Sequence, residues 1–316
     1  MARKSKSLHS SGLLNALSFV GMNGAEYCQI GHNWVTSITD NICMGFAIEE
    51  TLACQANIKA LTHSLTRAKD QVTITQLDID KLHVSSNGLE VYVNCEAEVK
   101  HVEPDKRFCA IDSRFTKCLD ILHSIVSAHG DHISVKSVLC YGSSCFATNR
   151  HILIEFWNGI DLPYCKLSKK FVDLILKSKK EVEYFGYSIS SVTVYFKDGS
   201  WIMGRQEKGD WINPFEILNV PTEMQPLTAN FKTSLKAVLG FAGATTVTWG
   251  AGRLQSHAGE REGAISAIAD LAEGGTYGTK EMKFLLDNGN EFCIDANKVV
   301  RFFGSNIRGA ISSRIG

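Results

Sequence analysis

The chain has 316 residues, of which 44% are hydrophobic and 21% charged, a balance that is ordinary for a globular protein. Its 33 Lys and Arg offset 33 Asp and Glu, so no net charge draws the whole chain to nucleic acid or to a membrane surface. The length favours two or three domains, and the lack of low-complexity tracts excludes a largely disordered protein.

The first 21 residues, MARKSKSLHSSGLLNALSFVG, resemble a signal peptide in their basic start and short apolar stretch. Asn15 and Ser18 interrupt that stretch, and no small-x-small cleavage site follows it, so a tail leading into a helix is favoured. No apolar run approaches the roughly 20 residues that span a bilayer.

The ten cysteines show no C-x2-C spacing, which argues against a zinc site. Most of them lie in apolar runs, where a thiol behaves as a small hydrophobic group. We therefore expect free thiols, a reducing cytoplasmic location and no metal.

Three amphipathic helices are predicted, each opening a segment of the chain. They cover 11–21, 113–130 and 229–243, and in each one the apolar residues recur with the period of a helix that buries one stripe. The three stripes consist of Leu13, Leu14, Leu17 and Val20; Phe115, Leu119, Leu122 and Val126; and Phe231, Leu235, Val238 and Leu239.

Two strand-like runs follow each of these helices, and then come a second helix and further strands. The first runs cover 26–38 and 41–49, 132–148 and 151–157, and 245–258 and 263–272. The second helices cover 56–70, 166–180 and 276–289. The later strands begin at 72, 181 and 291, and the dipeptides Asp198-Gly199 and Asn288-Gly289 mark tight turns.

The order helix, strands, helix, strands thus occurs three times at intervals of roughly 100–115 residues, which indicates a repeated domain. The boundaries that we predict give domains at 1–102, 103–220 and 221–316. Alternating polarity in several strands predicts an α+β fold, in which antiparallel sheets carry helices on one face.

Two glycine-rich stretches and one histidine resemble cofactor-binding or catalytic motifs, but none of them matches its motif in full. A phosphate loop needs Gly-Lys followed by Ser or Thr, but in GGTYGTK (274–280) Thr279 separates Gly278 from Lys280. WGAGRLQ (249–255) has Gln255 where a dinucleotide fingerprint needs glycine. His151 has no nucleophile elbow or paired aspartate nearby in sequence. We expect no catalytic residue and no cofactor.

Charge is distributed unevenly along the chain. The predicted helices, counted over five windows, hold about 15 Lys and Arg against about 7 Asp and Glu, whereas the remainder holds about 18 against about 26. For one helix a solvated face is the simpler interpretation, but the recurrence favours a surface that meets nucleic-acid phosphates without reading bases. The cations in question are Lys59, Arg67, Lys117, Lys166, Lys169, Lys170, Lys177, Lys232, Lys236, Lys280 and Lys283.

Two stretches resemble the bacterial sliding clamp, the beta subunit of DNA polymerase III. FATNRHIL (146–153) is similar to the family's A-T-D-G-H-R-L turn, with Thr148, His151 and Leu153 matching. NPFEILNVP (213–221) is similar to F-P-D-Y-R-R-V-L-P, with Pro214 and Pro221 at the same spacing. The threefold order extends the resemblance over nearly the whole chain.

The resemblance implies three clamp-type domains, each with two helices on antiparallel sheet, in an arc that closes into a ring when two copies dimerise. Helices would line the hole around double-stranded DNA. DNA polymerase and clamp loader would dock in a peptide groove between the second and third domains. Carried over by position, that groove would be formed by Thr148, Arg150, His151, Ile152, Leu153, Pro214, Asn219, Val220 and Ile311.

The chain also departs from the family pattern. Ile152 stands for a family arginine and Asn219 for a valine, and the net charge is neutral where the family is acidic. A divergent clamp, for instance one from a phage, would account for this. The alternatives are a viral or archaeal/eukaryotic-type clamp with another subunit count, an enzyme that uses Cys and His, and an interaction scaffold that does not involve DNA.

Overall fold

The computed structural model describes residues 6–49, 52–68, 71–78, 80–86, 88–96, 102–221, 223–250, 252–258, 262–267 and 274–314. Eight α-helices and 22 β-strands occur within those ranges, and the strand pairs that they form are antiparallel. None of the helices in these ranges is long and apolar enough to cross a lipid bilayer.

The first repeat begins with a strand that the sequence did not predict, because its residues were taken for a tail. Helix α1 then buries the predicted stripe residues Leu13, Leu17 and Val20. Helix α2 begins later than predicted, because Asn57 caps it by accepting a hydrogen bond from the Ala60 N–H. The elements are β1 (Lys6–His9), α1 (Ser10–Val20), β2 (Tyr27–Gly31), β3 (Trp34–Ile38), β4 (Ile42–Ala47), β5 (Cys54–Asn57), α2 (Ile58–Arg67), β6 (Gln71–Asp78), β7 (Lys81–Ser86) and β8 (Leu89–Glu96).

The second repeat differs from the prediction at three boundaries. Helix α3 ends at His123 instead of 130, because the chain turns back and the Ser127 N–H donates to the Val135 carbonyl at 2.8 Å. Residues 133–136 are helical, and the strand predicted at 151–157 continues to Ser168. The elements are β9 (Arg107–Ala110), α3 (Ser113–His123), α4 (Ile133–Lys136), β10 (Ser137–Thr148), β11 (Ile152–Ser168), α5 (Lys169–Ser178), β12 (Val182–Tyr187), β13 (Ser191–Phe196), β14 (Trp201–Arg205) and α6 (Pro214–Leu218).

The third repeat follows the predicted order. Helix α7 buries Phe231, Leu235 and Val238, and Thr228 caps its first turn. Of the strand predicted at 263–272, residues 265–267 form a strand and 268–272 lie outside the described residues. The elements are β15 (Gln225–Pro226), α7 (Ala229–Leu239), β16 (Thr246–Gly250), β17 (Arg253–His257), β18 (Ile265–Ala267), β19 (Thr276–Gly278), α8 (Thr279–Asn288), β20 (Glu291–Ile294), β21 (Val300–Phe303) and β22 (Ile307–Ile311).

The strands form three sheets. A 12-stranded sheet has the order β1-β6-β7-β8-β5-β2-β3-β4-β14-β13-β12-β9. A six-stranded sheet has the order β10-β11-β22-β21-β20-β15, and a four-stranded sheet has the order β18-β17-β16-β19. Strands of consecutive repeats therefore pair directly, β4 with β14 and β11 with β22.

These two pairings explain why the chain forms two compact units although its sequence shows three repeats. Spatial contacts separate one unit, Met1–Thr116 with Lys170–Gln206, from another, Lys117–Lys169 with Glu207–Gly316, so each unit takes half of the middle repeat. The predicted boundaries at 102/103 and 220/221 fall between β8 and β9 and between α6 and β15. The division into three domains stays a prediction.

The second unit contains the core that supports the resembling stretches. Buried side chains from β10, β11, β22 and α6 pack together there, with the rings of Phe146 and Trp211 6.4 Å apart. Burial of this kind contributes roughly 25 cal/mol per Å² of apolar surface. The cluster comprises Leu139, Phe146, Leu153, Trp211, Leu218 and Ala310.

Candidate functional site

The turn between β10 and β11 is held by its own side chains. The Asn149 side-chain oxygen accepts hydrogen bonds from the N–H groups of His151 and Ile152, each at 2.9 Å. The Thr148 hydroxyl accepts from the Arg150 N–H at 3.2 Å. Arg150 has φ = 79°, in the left-handed region that glycine tolerates best, and the family pattern has glycine at this position. The turn thus has the backbone that the resemblance implies.

Beyond this turn the structure forms a groove of about 430 Å³ within the second unit. Five residues predicted from the first stretch, Thr148, Arg150, His151, Ile152 and Leu153, all lie along it. The side chains of Ile152 and Leu153 are buried at its base, whereas those of Arg150 and His151 are exposed at the rim. An apolar base with a few polar groups at its edge is typical of a ligand-binding site.

The opposite wall comes from residues that the sequence reasoning missed. Ile212 and Ile217, on either side of the start of α6, and Val299, just before β21, complete the apolar lining. Asn213 caps α6 and Pro214 occupies its first turn, which sets where the helix begins. The sequence signal for this wall is the Asn-Pro helix start followed by an isoleucine that stays 37% exposed.

Arg301 anchors this wall to the sheet. Its guanidinium donates to the carbonyl oxygen of Ile217 and also lies 3.2 Å from a carboxylate oxygen of Asp295. The side chain is almost fully buried, so the Asp295 carboxylate balances its charge in the interior. Arg301 therefore fixes the last turn of α6, and with it the position of Ile217 in the groove.

The other predicted groove residues do not line this groove of about 430 Å³. Asn219 and Val220 line a neighbouring cavity of about 470 Å³, together with Pro221 and Met224. Pro214 is buried at the start of α6, and Ile311 is buried in β22 opposite Ile152. The short helix α6 explains why Ile217 lines the groove and Asn219 does not. Ile217 lies within the helix and faces the groove, whereas Asn219 follows the end of the helix and lines the neighbouring cavity.

The predicted cations on α2, α3 and α5 are mostly exposed. Lys59 and Arg67 project from α2, whose opposite face buries Leu61 and Leu65. Lys117 on α3 is exposed as well, and so are Lys170 and Lys177 on α5. These five side chains are exposed to solvent.

Two predicted cations are held against the protein instead. Lys166 lies in β11 and not in a helix, and its ammonium group donates to the Gly209 carbonyl. Lys169 is half-buried and donates to the His123 carbonyl at 3.3 Å. The predicted helix at 166–180 begins only at Lys169, because β11 runs on to Ser168.

Helices α7 and α8 bring three cations to one groove of about 490 Å³. Lys232 and Lys236 of α7 and Lys283 of α8 line it. Lys283 also pairs with Asp287 one turn further along α8, at 2.9 Å. Lys280 is exposed on α8 but does not line this groove.

All ten cysteines are thiols outside any disulfide, and eight of them are buried. Burial raises the pKa of Cys28 to about 12, which keeps this thiol protonated and unreactive. Among the described residues, no three His, Cys, Asp or Glu side chains are arranged to hold a metal ion.

The fold is shared with known proteins although the sequence is not. No protein-family profile matches the chain, and no curated protein matches it in sequence. The crystal structure of the DNA polymerase III subunit beta from Pseudomonas aeruginosa superposes with a TM-score of 0.76 at 10% identity, covering 99% of this chain and 100% of that one. The chain has the fold of a bacterial sliding clamp.

Two further structures of this fold agree. The Helicobacter pylori beta clamp bound to a DNA ligase peptide matches with a TM-score of 0.74 at 13% identity, covering 99% of this chain and 100% of that chain. The beta subunit from the DNA polymerase of Streptococcus pyogenes matches with a TM-score of 0.72 at 10% identity, with the same coverage. The clamp fold therefore covers 99% of the chain.

Proposed function

We propose that this protein is a DNA sliding clamp, a processivity factor that encircles duplex DNA and tethers a polymerase to it. The observation that carries the proposal is the clamp fold over 99% of the chain. In this role the protein is not an enzyme and needs no cofactor, since it holds DNA by closure. Its site of action would be replicating DNA in the cytoplasm, which suits ten cysteines that form no disulfide.

The helix cations would contact DNA loosely. Lysines on helical faces attract phosphates without reading bases, so binding should be independent of sequence and should weaken as salt rises. The exposed members of the predicted set, with Lys232 at the α7–α8 groove, would carry this role: Lys59, Arg67, Lys117, Lys170, Lys177, Lys232, Lys236, Lys280 and Lys283.

Two unpaired strand edges would join copies of the chain. Among the residues that the structure describes, strand β18 pairs only with β17, and β8 pairs with β5 only through Cys95 and Glu96 at its end. Tyr92 on β8 and Ile265 on β18 are 52% and 61% exposed. Within the chain, the β4–β14 and β11–β22 pairings already join consecutive repeats. Between two copies, β18 of each copy would pair with β8 of the other in the same strand-to-strand manner. The two pairings would close a dimeric ring and leave neither edge open.

The groove beside the β10–β11 turn would bind partner peptides, including those of the polymerase and the clamp loader. Its base of Ile152 and Leu153 and its wall of Ile212, Ile217 and Val299 offer apolar surface that a peptide side chain can cover. The clamp from Helicobacter pylori with its bound ligase peptide is a precedent for such docking on this fold.

Particle images test the proposal. At micromolar concentration, negative-stain electron microscopy should show rings with a central hole, and native mass spectrometry should give twice the chain mass of 34.8 kDa. Rings of three copies would support the clamp function but contradict the proposed subunit count of two. Solid particles or only monomers at this concentration would refute the ring.

A further inference from the structure

The rim of the groove carries an arginine in a backbone conformation that arginine rarely adopts. Arg150 has φ = 79° and is held there by the side chains of Thr148 and Asn149. Left-handed backbone is unfavourable for a residue that carries a side chain, so the surrounding turn must enforce it. The chain keeps a long cation at a position where glycine would fit without strain.

The ionisable side chains that line the groove are all basic. Besides Arg150 and the buried Arg301, the lining includes His132 and His151, and no Asp or Glu side chain lines it among the described residues. The charge of Arg301 is balanced by Asp295 at 3.2 Å. Arg150 is therefore the exposed charge that an occupant of the groove would meet.

Arg150 already binds a carboxylate of its own chain, that of the exposed residue Asp131. The Arg150 guanidinium donates to Asp131, on the loop before α4, at 3.3 Å. The Asp131 side chain is 92% exposed and that of Arg150 is 59% exposed. An ion pair so open to water contributes little to stability and is easily exchanged for another carboxylate.

We propose that Arg150 selects partner peptides that carry an acidic side chain next to their apolar anchors. The apolar residues would cover Ile152, Leu153 and Ile217, and the peptide carboxylate would replace Asp131 on the Arg150 guanidinium. This proposal rests on the proposed function, since it gives the chemistry of the partner for the same groove. A guanidinium suits this role because its fork of N–H donors matches a carboxylate.

A randomised heptapeptide library selected on the full-length protein tests the proposal, with the enriched peptides then synthesised in acidic and amide forms. Fluorescence anisotropy should show the Asp or Glu peptide binding about five-fold more tightly than its Asn or Gln counterpart, the size expected for an exposed ion pair. R150Q should abolish that preference while retaining the apolar contribution. D131N should increase the preference, because the internal competitor is gone.

The control variant is Arg253→Gln, an exposed cation on β17 that does not line the groove, and it should keep the wild-type preference. Peptides that bind through apolar residues with equal affinity in acidic and amide forms would overturn this proposal but leave the groove in place. Enriched peptides whose binding is indifferent to Leu153→Arg would instead refute the groove itself. Tighter binding of single-stranded DNA than of acidic peptides at Arg150 would overturn the peptide assignment.

Discussion

Glu155 and Arg308 face each other across the β11–β22 pairing, with the Arg308 Nε 2.5 Å from a carboxylate oxygen of Glu155. Glu155 is 3% exposed, and its other oxygen accepts a hydrogen bond from the Ser144 hydroxyl at 2.7 Å. The buried carboxylate therefore has partners on both sides. This pair lies where β22 of the third repeat joins β11 of the second.

Removing Arg308 should destabilise the second unit strongly. Arg308→Leu leaves the Glu155 carboxylate buried without its cation, and breaking a buried pair from one side costs about 3 kcal/mol or more. Chemical denaturation measures this free energy. The matched control is Asp287→Asn, which removes an exposed i,i+4 pair on α8 and should cost less than about 0.5 kcal/mol. Equal losses for the two variants would show that Glu155 does not depend on Arg308.

A glycine sets how closely β4 and β14 approach in the first unit. Gly45 lies opposite Trp201, and a Cβ at Gly45 would overlap the buried indole ring. Gly45→Ala should therefore cost roughly 1–3 kcal/mol of stability, as overpacking does in other cores. Gly12→Ala is the matched control, because Gly12 lies in α1 with no atom near its Cβ position. That substitution should be neutral or stabilising by up to about 1 kcal/mol. Urea denaturation measures the free energy of unfolding of both variants. A Gly45→Ala variant as stable as Gly12→Ala would contradict the close approach of β4 and β14.

Asp198 should make the stability of the first unit depend on pH. Burial alone would raise the pKa of Asp198, but the hydrogen bonds from Lys180 and Ser200 together lower it below its usual value. A lowered carboxylate pKa stabilises the fold above about pH 4, and this contribution is lost as the pH falls through the folded-state pKa. Asp198→Asn should therefore be less stable than the wild type at pH 7, and the gap should close in acid. Asp40→Asn, at an exposed position in the same unit, is the matched control.

The helix lysines should set the salt dependence of DNA binding. Replacing Lys170 and Lys177 by glutamine should lower the slope of log K against log salt concentration by about one unit per lost phosphate contact. Lys208→Gln, at an exposed position outside the helices, serves as the control and should leave the slope unchanged. Identical slopes for all variants would place the DNA away from α5.

The periodicity of the sequence was enough to predict the threefold order, because the helical stripes are local. Leu17, Leu119 and Leu235 each sit at a predicted apolar position, and each is fully buried. The length of β11 was missed, because Asn158-Gly159 looks like a turn. The alternation beyond it, with Ile160, Leu162, Cys165 and Leu167 buried, was a readable sign that the strand continues.

The groove was only half predictable for a physical reason. The turn at Thr148–Leu153 is a local structure fixed by neighbouring side chains, so a short motif could reveal it. The wall at Ile217 depends on Arg301, which is 84 residues away along the chain. Contacts of that kind leave no local pattern in the sequence.

Topological retention on DNA tests the central claim most directly. The protein is partly dissociated in mild denaturant, allowed to reassociate in the presence of nicked circular DNA, and then washed in about 1 M salt, which removes simple electrostatic binding. We expect rings to stay on the circle at this salt concentration and to be released once a restriction enzyme linearises it. Loss from the circle at high salt, or equal retention on circular and linear DNA, would contradict encirclement.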